Sequence, residues 1–261
     1  IKADVTGIDE SLGTLAMLAP RISEMVAEVR QQEAARVEAA RMAQENCPRI
    51  FVEGESDRLV LQRALALFFP GAVNQVRFET KLRGAGHSYV IDMLSGWRSQ
   101  HKHHPDRPKA AGIVDGDASE ERAAFNRQKD NVLSAKCFLY PTPAHIQRAR
   151  AAGFKVHATL ETLYPRAVWA YAERCGHLER RDPSKVYPSS LIRQIVQGEV
   201  EPSAGLDPEW EIFVTHDFSG ERKISTARRL SQESDDACRD SLAAFESVLR
   251  DALRFIGLQV T

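Results

Sequence analysis

The sequence lacks the features that define several classes of protein. Its 261 residues contain four cysteines with no CxxC pair, which argues against a zinc site or a disulfide framework and predicts reduced thiols in a cytoplasmic protein. No apolar run approaches the length of a membrane span and no signal peptide is visible, so we predict no membrane partner. The four cysteines are Cys47, Cys137, Cys175 and Cys238.

An excess of one charge is also missing. The 35 lysines and arginines nearly balance the 36 aspartates and glutamates, which leaves a formal net charge of -1. This balance argues against a generally basic protein that coats nucleic acid, but it is compatible with a local basic groove for duplex DNA. Aromatic residues of the kind that stack on single strands do not alternate with the basic ones. The basic residues that could line a groove are Arg77, Lys81, Arg83, Arg180, Arg181, Lys185, Arg222, Arg228 and Arg229.

Hydrophobic periodicity divides the chain into three segments. Residues 1–47 form a predicted N-terminal helical segment, because apolar residues recur there at helical spacing. Residues 48–163 alternate strand and helix, which predicts an α/β core with a small parallel sheet flanked by helices. Residues 164–261 are predicted to be mainly helical, with a loop that carries Lys223, and to pack with the N-terminal helices as an appended helical subdomain.

The pattern predicts four core strands, each followed by a helix. The predicted strands are Ile50–Val52, Val76–Thr80, Ala110–Val114 and Lys136–Tyr140. The predicted helices between and after them are Arg58–Phe69, Ser88–Gln100, Glu120–Asn131 and His145–Ala152, with Ser56 or Asp57 as the cap of the first. Farther along, we predict helices at Tyr164–Cys175, Ser189–Val196 and Ser234–Ile256 and a short strand at Glu211–Val214.

Two acidic motifs follow predicted strands. The first strand leads into residues 53–57, Glu-Gly-Glu-Ser-Asp, and the third into residues 115–117, Asp-Gly-Asp. In a parallel sheet, the carboxyl ends of the strands form the ligand-binding edge. Carboxylates gathered there repel one another unless they share a cation. The two motifs together predict a hard-metal site for phosphodiester chemistry, with Gly54 allowing a tight turn and leaving room for a phosphate.

Each motif has a second interpretation when it is taken alone. The aspartates could cap the helix that follows, since aspartate and serine are favoured caps. Asp-x-Asp also occurs in glycosyltransferases and phosphotransferases. An EF-hand is excluded, because Glu120 stands where the loop requires glycine and Asn126 where it requires glutamate. Two such motifs, each following a strand of the same sheet, favour the metal site.

The combination of a strand ending in Glu-Gly and a later strand ending in Asp-x-Asp resembles the Toprim domain of topoisomerases, primases and some nucleases. More narrowly, residues 51–58, Phe-Val-Glu-Gly-Glu-Ser-Asp-Arg, resemble the overcoming-lysogenisation-defect (OLD) family of ATPase-coupled nucleases. The resemblance covers residues 49–223. Proteins of that family carry an N-terminal ABC-type ATPase, but this chain begins at Ile1 without a methionine and contains no G-x-x-x-x-G-K-[ST] loop. We therefore interpret it as the C-terminal nuclease region, with the ATPase domain upstream in the full-length chain.

The resemblance implies a metal-dependent DNA endonuclease that uses two Mg²⁺ or Mn²⁺ ions, with DNA as partner and a possible homodimer. It implies Glu53 and Lys223 as catalytic residues, with the lysine stabilising charge in the transition state. The identity of the general base stays open between Glu53 and Glu55. The implied metal ligands are Glu53, Asp57, Asp115, Asp117 and Glu161, and the implied supporting residues are Gly54, Ser119, Glu120 and Glu121.

The alternatives are a primase- or topoisomerase-like Toprim protein and a catalytically silent Toprim scaffold. No tyrosine lies in a motif diagnostic of a topoisomerase nucleophile, and nucleotide-binding features of a primase are not visible. Two of the implied site residues also have ordinary interpretations: Glu161 as an acid at a helix start and Lys223 as a surface lysine.

Overall fold

The protein was examined as a computed structural model that describes residue 21 and residues 24–38, 46–81, 86–103, 108–128, 134–199 and 206–259. The chain divides into two compact units, Ile1–Cys47 and Pro48–Thr261. In the first unit, residues 24–38 form helix α1, which is exposed along its length. The second unit contains the sheet and spans both the predicted core (48–163) and the predicted helical region (164–261).

A four-stranded parallel sheet forms the centre of the second unit, so the prediction of an α/β chain with a small parallel sheet is confirmed. The strands lie in the order β2-β1-β3-β4. Strand β3 is buried at all five positions, as expected for a central parallel strand covered on both faces. The strands are β1 (Arg49–Val52), β2 (Arg77–Glu79), β3 (Ala110–Val114) and β4 (Ala135–Leu139).

Helices cover both faces of the sheet. Helix α3 contacts β1, β3 and β4, and helix α4 contacts β4 on the same face. On this face α3 packs closely against β3. A Cβ on Gly112 would lie only 2.6 Å from side-chain atoms of both Val90 and Leu94 of α3, so the glycine leaves room for the helix. The other face carries the larger hydrophobic core, in which α2 and the C-terminal helices pack. The helices of the α/β part are α2 (Glu55–Phe68), α3 (His87–Gln100), α4 (Ser119–Arg127) and α5 (Ala144–Ala151).

The remaining chain is mainly helical and adds a two-stranded antiparallel sheet. Its strands are β5 (Leu178–Arg180) and β6 (His216–Phe218). A 3-10 turn, Glu161–Leu163, connects the α/β part to the first of these helices. The helices are α6 (Arg166–Arg174), α7 (Pro183–Val186), α8 (Ser189–Val196), α9 (Glu211–Thr215), α10 (Gly220–Gln232), α11 (Asp235–Leu242) and α12 (Glu246–Phe255). Among the described residues, no helix combines the length and the apolarity that a membrane crossing requires.

Four local predictions were wrong. The predicted strand Glu211–Val214 is helix α9, because a short buried apolar run has no periodicity that separates strand from helix. Lys223 lies in helix α10 and not in a loop. The predicted single helix Ser234–Ile256 is broken by a 3-10 turn at Ala243–Phe245. Neither Ser56 nor Asp57 caps α2, because Gly54 is the N-cap and the helix begins at Glu55.

Some predictions fall on residues that the structure does not describe. These are most of the N-terminal helical segment, the end of the predicted helix Glu120–Asn131 and the groove candidate Arg83.

Candidate metal centre

The two acidic motifs meet at the carboxyl edge of the sheet. Strands β1 and β3 are hydrogen-bonded neighbours that pair in parallel, so Glu53 and Asp115, which directly follow them, leave the sheet side by side. Carboxylate oxygens of Glu53, Asp115 and Asp117 lie within 4.8 Å of one another. We call these three the outer carboxylates, because Glu53 and Asp115 are partly exposed and Asp117 is exposed. This cluster could hold a metal ion.

Backbone hydrogen bonds fix the outer carboxylates to a second chain segment. The backbone N–H of Asp115 donates to Glu53 Oε1 at 2.8 Å, and Asp115 Oδ1 accepts from the N–H of Leu160 at 3.0 Å. The N–H of Gly116 donates to the carbonyl of Ala158 at 2.6 Å. A Cβ on Gly116 would lie 3.0 Å from that oxygen, so glycine allows this approach. The segment that leads to Glu161 is thereby held against the Asp-x-Asp motif.

Two further carboxylates, Asp57 and Glu161, are buried near Asp115, whose pKa their charges raise, but they do not belong to the group of three. We call them the inner carboxylates. Asp57 is 6% exposed and Glu161 is 3% exposed. The hydroxyl of Tyr140 donates to Asp57 Oδ1 at 2.8 Å. Glu161 Oε1 lies 3.2 Å from Lys223 Nζ, whereas its Oε2 is buried and has no hydrogen-bond partner among the described residues. The structure therefore assigns Glu161 and Lys223 to one ion pair.

The turn that carries Glu161 is held by its own hydrogen bonds. The indole N–H of Trp169 donates to the Glu161 carbonyl at 2.9 Å, and so does the N–H of Tyr164 at 3.0 Å. The hydroxyl of Thr162 donates to the carbonyl of Thr159 at 2.8 Å. These contacts fix the backbone of the turn, so that the buried position of the Glu161 side chain follows from the fold.

The electrostatics show that inner and outer carboxylates share one environment. Burial raises the pKa of Asp57 to about 7, the charge of Glu161 adds to the rise, and the hydrogen bond from Tyr140 opposes it. Burial also raises the pKa of Asp115 well above its ordinary value, and the charges of Asp57, Glu161 and Glu53 add to it. For Glu53, burial raises the pKa and the N–H of Asp115 opposes the rise. Crowded, desolvated carboxylates of this kind favour a bound cation.

Lys223 contributes positive charge to this site. Burial lowers the pKa of Lys223, but the charges of Glu161, Asp217 and Asp115 outweigh that effect and raise it. The ammonium group is therefore charged at neutral pH. One ammonium group does not neutralise five ionised carboxylates, so full ionisation of the site would need a further cation.

Several predicted site residues lie elsewhere or have a different role. Ser119, Glu120 and Glu121 are exposed in the first turn of α4 and are not members of the carboxylate cluster. Gly54 has an extended backbone with φ of -150°, which any residue can adopt, so the turn does not require glycine there. Glu55 forms two hydrogen bonds with Arg58, at 2.7 and 2.5 Å, and these lower its pKa.

Three residues that lie next to the carboxylates were not predicted from the sequence. Tyr140 directly follows β4, so its position at the carboxyl edge of the sheet was available as a signal. Tyr164 follows the turn that carries Glu161, and burial raises its pKa well above the ordinary value, with the charge of Glu161 adding to the rise. His87, at the first position of α3, is close enough to Glu53 to lower the pKa of that carboxylate.

The predicted basic groove is only partly available. Three of its members are engaged in ion pairs: Arg77 with Glu79, Arg181 with Asp217 and Arg229 with Glu233. Arg222 and Arg228 are exposed on α10, the helix that also carries Lys223, whereas Lys81, Arg180 and Lys185 are exposed elsewhere.

Comparisons with models of protein families, with curated proteins and with solved structures found no match to this chain. The functional conclusion therefore depends on the residues and the geometry of the site.

Proposed function

We propose that this protein is a metal-dependent DNA endonuclease, built on a Toprim-like core, and the nuclease module of a larger ATPase-nuclease of the type that its sequence motifs resemble. The observation that carries this proposal is the convergence of Glu53, Asp115 and Asp117 within 4.8 Å at the carboxyl edge of a parallel sheet. The inner carboxylates and Lys223 lie near Asp115. Five carboxylates and one lysine in this arrangement suit the hydrolysis of a phosphodiester.

The ligand atoms fit Mg²⁺ or Mn²⁺. All of them are carboxylate oxygens, and such oxygens suit hard divalent cations better than they suit zinc. The buried Oε2 of Glu161 lacks a hydrogen-bond partner among the described residues, as expected for an atom that is completed by a ligand. Outer and inner carboxylates together would hold two ions. When bound, such ions neutralise charge on the phosphate and make water a better nucleophile.

The residues of the chain supply the other parts of the reaction. Lys223 is one-third exposed, so its ammonium group can face a phosphate while Glu161 holds it in place. In that position it stabilises the negative charge that develops in the transition state. Glu55 is poorly suited to accept a proton, because two hydrogen bonds with Arg58 hold its carboxylate and lower its pKa, and Glu53 is assigned here as a metal ligand.

The rival functions receive less support from the structure. A topoisomerase-like reaction needs a tyrosine that reaches the DNA backbone, but Tyr140 and Tyr164, beside the acidic site, are each only 2% exposed. A silent scaffold has no need for desolvated carboxylates, which destabilise the fold unless they are compensated. The silent scaffold does not account for the crowding of five acids.

A plasmid assay tests the proposal. Supercoiled DNA should be nicked or linearised in Mg²⁺ or Mn²⁺ and left intact in EDTA. Asp115→Asn should lower the rate at least about 100-fold, because even residues that only support a metal ligand contribute about 10–100-fold. Asp240→Asn, the same change at an exposed position of α11, is the matched control and should cut like wild type. The proposal is wrong if wild type leaves DNA intact in both metals, or if Asp115→Asn cuts DNA and binds Mn²⁺ as wild type does.

A further inference from the structure

Two buried tyrosines lie beside the inner carboxylates and differ in one respect. Tyr140 and Tyr164 are each 2% exposed. Both rings pack against Phe245, with centroid distances of 6.0 and 6.2 Å. The hydroxyl of Tyr140 donates to Asp57 at 2.8 Å, whereas the hydroxyl of Tyr164 has no hydrogen-bond partner among the described residues. A comparison of the two tyrosines therefore separates the effect of a buried aromatic ring from the effect of one hydrogen bond.

Tyr140 is anchored rigidly to the sheet. It directly follows β4, and its N–H donates to the carbonyl of Val114 at 3.1 Å, so its backbone continues the β3–β4 pairing. Val114 is the residue before Asp115. The tyrosine that holds Asp57 and the strand that delivers Asp115 are thereby joined by one backbone hydrogen bond. This connection fixes Asp57 relative to the outer carboxylates.

The hydrogen bond restricts the orientation of the Asp57 carboxylate. With Oδ1 held by Tyr140, Oδ2 is left on the side of Ser56, whose hydroxyl lies 3.4 Å away. A carboxylate on a short side chain still rotates about its last torsion unless a partner selects one orientation. Metal ligands in proteins are commonly held in this way by neighbouring hydrogen-bond donors.

On the basis of the proposed function, we infer that Tyr140 is a positioning residue of the metal centre, which fixes the Asp57 carboxylate for metal binding through its hydroxyl. It contacts neither the metal nor the DNA. Tyr164, although equally buried and packed on the same phenylalanine, does not have this role. The inference concerns metal affinity and is separate from the stability that both rings contribute.

The experiment compares Tyr140→Phe with Tyr164→Phe in the full chain. Each variant keeps the ring that packs on Phe245 and removes only the hydroxyl. The readouts are Mn²⁺ affinity by isothermal titration calorimetry, the metal concentration that gives half-maximal nicking, and the melting temperature in EDTA. Tyr140→Phe should weaken Mn²⁺ binding about 10-fold or more and shift the half-maximal concentration to the same extent. Tyr164→Phe should leave both values within about twofold of wild type.

A double-mutant cycle with Asp57→Asn shows whether Tyr140 acts through Asp57. The double variant should bind Mn²⁺ no more weakly than Asp57→Asn alone. Additive losses, equal losses from the two tyrosine variants, or unchanged Mn²⁺ affinity in Tyr140→Phe would each overturn the inference. If Tyr140→Phe lowers the melting temperature, the cycle still decides the matter, since a purely structural loss would add to that of Asp57→Asn.

The outcomes separate this inference from the proposed function. If wild type nicks DNA and Tyr140→Phe binds Mn²⁺ normally, only the positioning role fails. If wild type binds Mn²⁺ and Tyr140→Phe weakens that binding while no DNA is cut, the nuclease proposal fails and the positioning role stands. Absence of Mn²⁺ binding by wild type overturns both.

Discussion

The outer and the inner carboxylates are made of the same chemical groups but are stabilised differently. Glu53 and Asp115 are partly exposed and Asp117 is exposed at the carboxyl edge of the sheet. Asp57 and Glu161 are buried, and a tyrosine hydroxyl or a lysine ammonium group accompanies each. On the proposed function, the outer set would meet the substrate, whereas the inner set would fix the geometry of the site.

The difference teaches where the energetic cost of the site lies. A buried carboxylate without full compensation destabilises the folded protein, and its pKa rises as a result. Burial raises the pKa of Asp57 to about 7 and that of Asp115 well above its ordinary value, so one of the outer carboxylates shares this cost. The metal-free protein thus keeps its binding site at the expense of stability, and a bound cation should recover that stability.

The largest effect is expected from the outer carboxylates. Glu53→Gln should reduce nicking at least about 100-fold, and excess Mn²⁺ should not restore it, because the change removes a charge from the cluster. Asp57→Asn should reduce the nicking rate less, and high Mn²⁺ should restore part of that rate. Nicking rates over a range of Mn²⁺ concentrations measure both.

The control for this comparison is Glu179→Gln, on exposed strand β5, which should have the rate of wild type. If Asp57→Asn is the more damaging of the two substitutions and excess metal does not rescue it, the assignment of outer and inner roles is wrong.

The next largest effect is expected for the ion pair between Lys223 and Glu161, where removing the lysine should destabilise the protein more than removing the glutamate charge. Lys223→Met leaves Glu161 buried without its cation and should lower the free energy of unfolding by about 1–3 kcal/mol in EDTA. This is below the loss for a fully buried pair, because one-third of the Lys223 side chain is exposed. Glu161→Gln should cost less, since it also removes repulsion with Asp57 and Asp115. Urea unfolding measures both.

Equal destabilisation by the two substitutions would show that repulsion among the carboxylates does not control stability here. Both variants should still lose nicking activity, since each removes part of the proposed site. A Lys223→Met protein that cuts DNA normally would remove the lysine from the mechanism.

The third effect is the pH dependence of the metal-free protein. The folded-state pKa of Asp57, about 7, lies above its ordinary value of 3.8, so between these values the folded protein holds a proton that the unfolded chain releases. Its contribution to stability is therefore complete below about pH 4 and is lost as the pH rises through about 7. In EDTA, melting temperature should fall more steeply from pH 5 to pH 8 in wild type than in Asp57→Asn.

At pH 8, Mg²⁺ should raise the melting temperature of wild type again, and it should raise that of Asp57→Asn by a smaller amount. Parallel pH profiles of the two proteins in EDTA would mean that Asp57 is ionised at little cost and that the inner site is not desolvated as described.

The sequence was sufficient to predict the sheet and the meeting of the two acidic motifs. Both depend on local patterns: apolar runs such as Ala110–Val114 form the strands, and parallel pairing then brings the residues after them to one edge. The helical spacing of Leu61 and Leu65 similarly predicts α2. These features need no knowledge of contacts between distant segments.

The partners of the inner carboxylates could not be predicted in this way. Tyr140 is 83 residues from its partner Asp57, and no local pattern marks a tyrosine that donates to a carboxylate. The change from predicted strand to helix α9 has a similar cause, because tertiary packing decides the conformation of a short buried run. What the sequence leaves open is which polar groups lie together once the chain is folded.

The smallest effect is expected where the acidic pattern extends beyond the site. Ser119→Ala, Glu120→Gln and Glu121→Gln should each nick DNA within about twofold of wild type, because exposed side chains that contact no buried feature rarely change a protein by more than about 0.5 kcal/mol. Asp117→Asn, only two residues before Ser119, should lose activity strongly, since its oxygen belongs to the cluster. The boundary of the outer set would then lie between positions 117 and 119. A strong loss in Glu120→Gln or Glu121→Gln would move that boundary into α4, because exposed acids could contribute only by binding metal together with substrate.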